Sequence, residues 1–290
     1  MEVTPELIEK VWPLTDVSVG DPLKEAAGNR EVFSVNAKEG KFIAKTTDEY
    51  KKREPLIHGL RAFELLPQKG FTHIPKLLKP RPGELFYEEN GKFLYLIEYI
   101  DGKQPEASTV TYTKLASLAA DLHAVQDYPY QTEFDPNTII AKDLRTLVED
   151  KPYQNEYLSI LDSLPDFTVL PKSVIHTDLA PVNSVERLNG EIVLIDLDDI
   201  GVGIRVLDIA FPLIQQFVTE DCEFHDDQAQ AFYKTYRSKI ELTDVELDMV
   251  FPAALFIAMM YIVYGEQEKR WKRILWALMN QSKLEQVFRG

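Results

Sequence analysis

Three oxygen-bearing side chains, Asp178, Asn183 and Asp196, stand where apolar, β-prone runs end. Val174-Ile175 leads into His176-Thr177-Asp178-Leu179-Ala180-Pro181-Val182-Asn183, and Val193-Leu194-Ile195 leads into Asp196-Leu197-Asp198-Asp199. Between the two runs, Asn189-Gly190 marks a tight hairpin turn. The pattern predicts strand, polar loop, strand, turn, strand and acidic tip, a hairpin that would gather Asp178, Asn183 and Asp196 at one end. Two carboxylates and a carboxamide are hard oxygen donors, which suit Mg²⁺ rather than zinc.

Asp178 precedes Asn183 by five positions. That is the spacing of a kinase catalytic loop, in which the Asp takes the substrate hydroxyl proton and the Asn holds a metal. His176-x-Asp178-x4-Asn183, then Ile195-Asp196-Leu197-Asp198-Asp199, then Arg205-x2-Asp208-Ile209-Ala210 together resemble the aminoglycoside phosphotransferase and choline kinase-like superfamily. The resemblance covers roughly residues 25–280, and its specific part is confined to 174–210.

This resemblance implies an α+β, two-lobed protein-kinase-like fold. A small β-rich N-lobe would span residues 1–100, with a hinge about 98–104, and a larger, mostly helical C-lobe residues 105–290. It implies ATP as co-substrate, Mg²⁺ as cofactor and a small-molecule hydroxyl as acceptor. Asp178 would be the catalytic base, with Asn183 and Asp196 as metal ligands. Lys45 would reach the α- and β-phosphates, the turn at Gly28-Asn29 would lie over them, and backbone near Glu98 and Ile100 would hold adenine. His176 and Asp208 would brace the loop structurally. Asp198 and Asp199 stay open between binding metal through water and facing the acceptor. One departure concerns the glutamate that pairs with the strand lysine in relatives. Its usual place falls near Gly59, and Glu54 and Glu64 are the nearest acids.

The elements that must position these residues follow from periodicity. Thr4-Pro5 reads as a helix cap and first turn. Val17–Val19, Glu31–Asn36 and Lys41–Lys45 read as strands of a meander. Residues 48–69 carry Leu56, Ile57, Leu60, Phe63 and Leu66 on one helical stripe. A hairpin of 85–87 with 93–100 ends sharply at Asp101-Gly102, and from Ser108 the period becomes helical. Residues 138–164 read as one or two helices, and the last part as helices over 206–218, 225–240, 243–265 and 268–287. Thr243-x2-Glu246 is a capping-box pattern. Tyr261, Tyr264, Trp271 and Trp276 fit either a cage for a quaternary ammonium group or plain core.

Composition sets the outer limits. The 290 residues are 45% apolar, enough to bury a core, with a formal net charge of −15. A phosphate-binding surface needs an excess of Lys and Arg, so this charge argues against nucleic-acid partners. An acidic surface would favour a cationic, aminoglycoside-like acceptor, and equally serves solubility alone. The single cysteine, Cys222, permits no intrachain disulfide. The start of the chain lacks the basic and apolar regions of a signal peptide, and the longest apolar stretch, 253–264, is too short to span a bilayer. A cytoplasmic protein without membrane or nucleic-acid partners is expected. Within the same class, homoserine, choline or methylthioribose kinase-like enzymes and spore-coat-associated kinase-like proteins are alternatives. An alternative of a different class is a catalytically weak, nucleotide-binding regulatory protein, which the glycine-poor phosphate loop and the missing helix glutamate favour and the intact Asp178, Asn183 and Asp196 set disfavours.

Overall fold

Thr4 starts the first helix as its pattern requires: its hydroxyl accepts the Leu7 amide, and Pro5 occupies the first turn. The computed structural model describes residues 1–26, 30–47, 52–80, 84–142 and 144–290. They form an α+β fold of two compact units, Met1–Lys103 with Val185–Asp198, and Gln104–Ser184 with Asp199–Gly290.

The first unit is built on a sheet. After α1 (Pro5–Val11) come β1 (Ser18–Ala26), β2 (Arg30–Ala37), β3 (Gly40–Thr46), α2 (Arg53–Gln68), β4 (Leu77–Leu78), β5 (Tyr87–Glu89), β6 (Lys92–Glu98) and β7 (Gly102–Lys103). The antiparallel strand order is β1-β2-β3-β6-β4, with β5 also paired to β6. Ile8, Trp12 and Leu14 pack with Phe33, Val35, Ala44, Leu94 and Leu96 in one buried cluster. The Trp12 indole donates to the Leu78 carbonyl at 2.9 Å, which fixes α1 to the sheet. Two short strands from late in the chain, β9 (Ser184–Arg187) and β10 (Ile192–Leu194), complete this unit through β7, since Gly102 pairs with Arg187. The sequence-based division assigns all of 105–290 to the second lobe. Residues 185–198 group instead with the first unit, because that ladder and the Leu194 amide on the His73 carbonyl hold them there.

The second unit is mainly helical: α3 (Thr109–His123), α4 (Pro136–Lys142), α5 (Gln154–Ser163), α6 (Val206–Gln215), α7 (Asp226–Lys239), α8 (Asp244–Met260), α9 (Gln267–Met279) and α10 (Gln281–Arg289). Its two-stranded ladder pairs β8 (Lys172–Ile175) with β11 (Gly201–Ile204). The helix predicted over 268–287 is two helices. Asn280 ends α9 by donating its side-chain amide to the Trp276 carbonyl. Thr243 and Glu246 form the predicted capping box of α8. Glu246 also receives a bidentate pair from Arg205, with Nη2 to Oε2 at 2.8 Å. The stretch Asp244–Val263 is long and apolar enough to cross a membrane by length and composition, but it is mostly buried inside the protein, as a core helix is.

Candidate active site

In the second unit the polar loop after β8 carries Asp178 and Asn183. Asn183 closes a 3₁₀ turn (Pro181–Asn183) and donates its side-chain amide to Asp178 twice, to Oδ2 at 2.7 Å and to the backbone carbonyl at 2.9 Å. Both amide hydrogens of Asn183 are thereby engaged within the loop, and its Oδ1, which is acceptor-only, is the atom left to offer a cation.

Asp208 holds this loop from below. Its buried carboxylate accepts the His176 and Thr177 amides, each at 2.7 Å. Converging two successive amides on one carboxylate bends the chain between them, and Thr177 takes a left-handed backbone with φ of 75°. A β-branched residue in that region is strained, so the Asp208 contacts are what hold it. The same carboxylate lies 3.1 Å from His123 Nε2, and His123 Nδ1 lies 2.7 Å from the Tyr236 hydroxyl. His176 is buried, and Asp208 grips its backbone rather than its ring.

Tyr261 meets Asp178 from α8's C-terminal end. Burial first, then the Asp178 carboxylate and its hydrogen bond, push the Tyr261 hydroxyl far above the ordinary phenol range, with a smaller contribution from Asp199. The side chain sequence patterning grouped into an aromatic cage or core is therefore a direct partner of Asp178. The four aromatics form no common cage. Tyr264 lies 5.5 Å from Tyr261, but Trp271 stacks on Tyr153 at 4.7 Å and Trp276 lies against Phe224. Asp199 is exposed, and its carbonyl accepts the Thr132 hydroxyl. A side chain at Gly201 would strike the Thr132 amide at 2.4 Å, which explains the glycine that opens β11.

In the first unit, Lys45 on β3 faces two carboxylates. Its Nζ lies 2.7 Å from Asp196 Oδ1 and 3.5 Å from Asp198 Oδ2. Lys45 is 13% exposed, Asp198 10% and Asp196 44%. Burial works against the ammonium, but Asp198 and then Asp196 outweigh it and hold its pKa well above the lysine range. The Tyr95 hydroxyl donates to Asp198 Oδ1 at 2.6 Å. Tyr95 is a partner that residue spacing does not reveal, since it depends on the β3–β6 register that sets Lys45 opposite Tyr95. Asp196 sits at the tip with a left-handed φ of 65°.

Neither candidate glutamate reaches Lys45. Glu64 is held by Arg61 at 2.6 Å and by Lys79, and Glu54 is exposed in the first turn of α2. At the hinge, the Glu98 amide donates to the Lys76 carbonyl at 2.8 Å, and the Tyr99 amide to that of Lys41. Ile100 is buried. Gly28 and Asn29 lie outside the described residues.

The donor chemistry fits a hard cation. Among the described residues no group of three or more His, Cys, Asp or Glu could alone enclose a metal ion. Asp196 in the first unit offers an exposed carboxylate, and Asn183 in the second an amide oxygen; each is a hard oxygen donor of the kind that suits Mg²⁺.

The sequence matches the model of a phosphotransferase enzyme family over residues 20–242. No curated protein matches it. Among solved structures, it is similar to an aminoglycoside phosphotransferase from Alicyclobacillus acidocaldarius, at 14% identity and a TM-score of 0.66, covering 99% of this chain and 95% of that one. An amicoumacin kinase in complex with AMP-PNP, Ca²⁺ and its antibiotic matches at 16% identity and 0.66, over 97% and 92% of the two chains. A choline kinase from Cryptosporidium parvum matches at 16% identity and 0.65, over 92% and 90%. At these identities the likeness is one of fold.

Proposed function

Because the chain belongs to the phosphotransferase enzyme family, we propose that it moves the γ-phosphate of ATP to a hydroxyl of a small, amine-bearing molecule. The observation that carries this reading is the Asn183 amide on Asp178, within a loop that Asp208 holds. That arrangement gives a fixed carboxylate for a hydroxyl proton and a free amide oxygen for a cation, the two parts that phosphoryl transfer asks of such a loop.

In this reading Asp178 accepts a hydrogen bond from the acceptor hydroxyl. It takes the proton as the new oxygen–phosphorus bond forms and the bond to the ADP oxygen breaks. Lys45 aligns the α- and β-phosphates. Asn183 and Asp196 would hold Mg²⁺, which neutralises charge on the phosphate oxygens. With the Glu98 and Tyr99 amides already engaged, adenine would take its contacts from neighbouring backbone about Ile100. The net charge of −15 and the cationic compounds named for two of the similar structures, aminoglycoside and choline, support a cationic acceptor.

The test is coupled ADP release with Mg²⁺ across aminoglycosides, choline, ethanolamine, homoserine and methylthioribose, with Asp178→Asn as blank. Acceptor-dependent release that drops by about 10²-fold or more in Asp178→Asn supports the assignment. Equal rates in the two proteins refute it. The absence of a glutamate at Gly59 favours a second reading, a nucleotide-binding regulatory protein, and MgATP binding without transfer to any acceptor would support that one.

A further inference from the structure

Lys45 is a buried cation that neither glutamate of α2, Glu54 or Glu64, reaches. On the same helix, the space beside Gly59 is filled by backbone. A Cβ built at Gly59 would come within 3.0 Å of the Asp198 carbonyl and 3.2 Å of the Leu197 carbonyl. Helix and acidic segment pack main chain to main chain, and a side chain at this position would press on the Asp198 and Leu197 carbonyls, which would have to give by a few tenths of an ångström. Among the described residues the ion pairs of Lys45 are with Asp196 and Asp198 alone.

The two carboxylates differ in kind. Asp196 is exposed, left-handed and free to exchange one cation for another. Asp198 is nearly buried, and its other oxygen is tied by the Tyr95 hydroxyl at 2.6 Å. Tyr95 is itself buried and lies opposite Lys45 in the β3–β6 ladder, with the Lys45 ammonium 5.7 Å from its ring centroid. One strand register thus fixes the lysine, the aromatic beneath it and the hydroxyl that orients the carboxylate.

We infer that Asp198, anchored by Tyr95, is the standing partner that positions Lys45 for nucleotide phosphates, in place of the absent helix glutamate, while Asp196 is the exchangeable one. Asp198 and Tyr95 are positioning residues in this account, which rests on the phosphotransferase reading of Lys45. Shortening the lysine's tether to one carboxylate frees Asp196 for its own ligand without releasing Lys45 into solvent.

The test is a double-mutant cycle on the full chain, read as MgADP affinity by titration calorimetry with thermal melts alongside. Asp198→Asn is expected to weaken binding about tenfold, the effect of losing one charge-assisted contact, and Tyr95→Phe to weaken it less. Lys45→Met with Asp198→Asn should bind no more weakly than Lys45→Met alone, because Asp198 acts only through that lysine. A purely structural role predicts the opposite, losses that multiply. Wild-type affinity in Asp198→Asn, or multiplying losses, overturns the inference while leaving the phosphotransferase reading in place. If Asp198→Asn does not fold, Tyr95→Phe, which keeps the ring, runs the same cycle with Lys45→Met and decides by the same two outcomes. No MgADP binding by the wild-type protein overturns both.

Discussion

Replacing Asp208 by Asn tests whether one buried carboxylate holds the loop of Asp178. Asp208 accepts the His176 and Thr177 amides at 2.7 Å each and lies 3.1 Å from His123 Nε2. An asparagine keeps one acceptor oxygen, and its NH₂ must face a donor. Loss of a charge-assisted hydrogen bond costs about 1.5–3 kcal/mol, and a buried donor left unsatisfied about 1–3 kcal/mol more. Thr177 then has less to hold its φ of 75°, and its relaxation to an ordinary conformation returns about 1–2 kcal/mol. The net destabilisation is about 3 kcal/mol, large against a total stability on the order of 5–15 kcal/mol. Urea unfolding should show a lower midpoint at unchanged slope. Turnover should fall more than MgADP affinity, because Asp208 braces Asp178 and not Lys45. A variant within about 0.5 kcal/mol of wild type, with unchanged turnover, would show that the loop holds its shape by other means.

Three other perturbations separate structure from chemistry. Glu246→Gln breaks the bidentate pair with Arg205 and should destabilise the fold by about 3–5 kcal/mol in urea unfolding, with little effect on MgADP affinity. Burial raises the Glu246 pKa, but the Arg205 and Thr243 contacts outweigh it and leave it below the ordinary range. Its folded pKa lies below its unfolded one, so its contribution is complete above the unfolded value of about 4.3 and is lost as pH falls through the folded value. Wild type should therefore lose more stability than Glu246→Gln on acidification below about pH 4.5, and parallel pH curves would refute this. Tyr261→Phe removes a hydrogen-bond partner of Asp178 and should lower kcat several-fold with the KM for ATP unchanged; a raised KM for ATP alone would place Tyr261 elsewhere in the reaction. Gly59→Ala should push on the Asp198 carbonyl, only 3.0 Å from the added carbon, and weaken MgADP binding; an unaltered affinity would mean that the backbone yields there at no cost to Lys45.

What could be read from the sequence was local. Helix caps at Thr4 and Thr243 act over three or four residues, and the structure shows both in place. The 178–183 loop is local in the same sense, since Asn183 reaches Asp178 across five positions. What stayed hidden depends on register between distant strands. Nothing near Asp198 in the chain marks Tyr95 as its partner, because the pairing of β3 with β6 brings them together. The missing helix glutamate is visible in the sequence as a gap, but the main chain packed against Gly59 exists only in three dimensions. The single long helix expected at the end of the chain failed on one side chain, Asn280, which competes with the backbone for the Trp276 carbonyl.

The first unit takes residues from both sides of a long excursion, since 185–198 belong with 1–103. A chain emerging from the ribosome can form the sheet of β1 to β6 early, but Lys45 then has neither of its carboxylates. Asp196 and Asp198 arrive only after α3, α4, α5 and β8 have been made. The loop closed by pairing Gly102 with Arg187 is a late, entropically costly step. A truncated product ending at Lys103 would expose or strand a cation that the finished protein buries. Order of synthesis thus makes the charge balance around Lys45 one of the last things the first unit acquires.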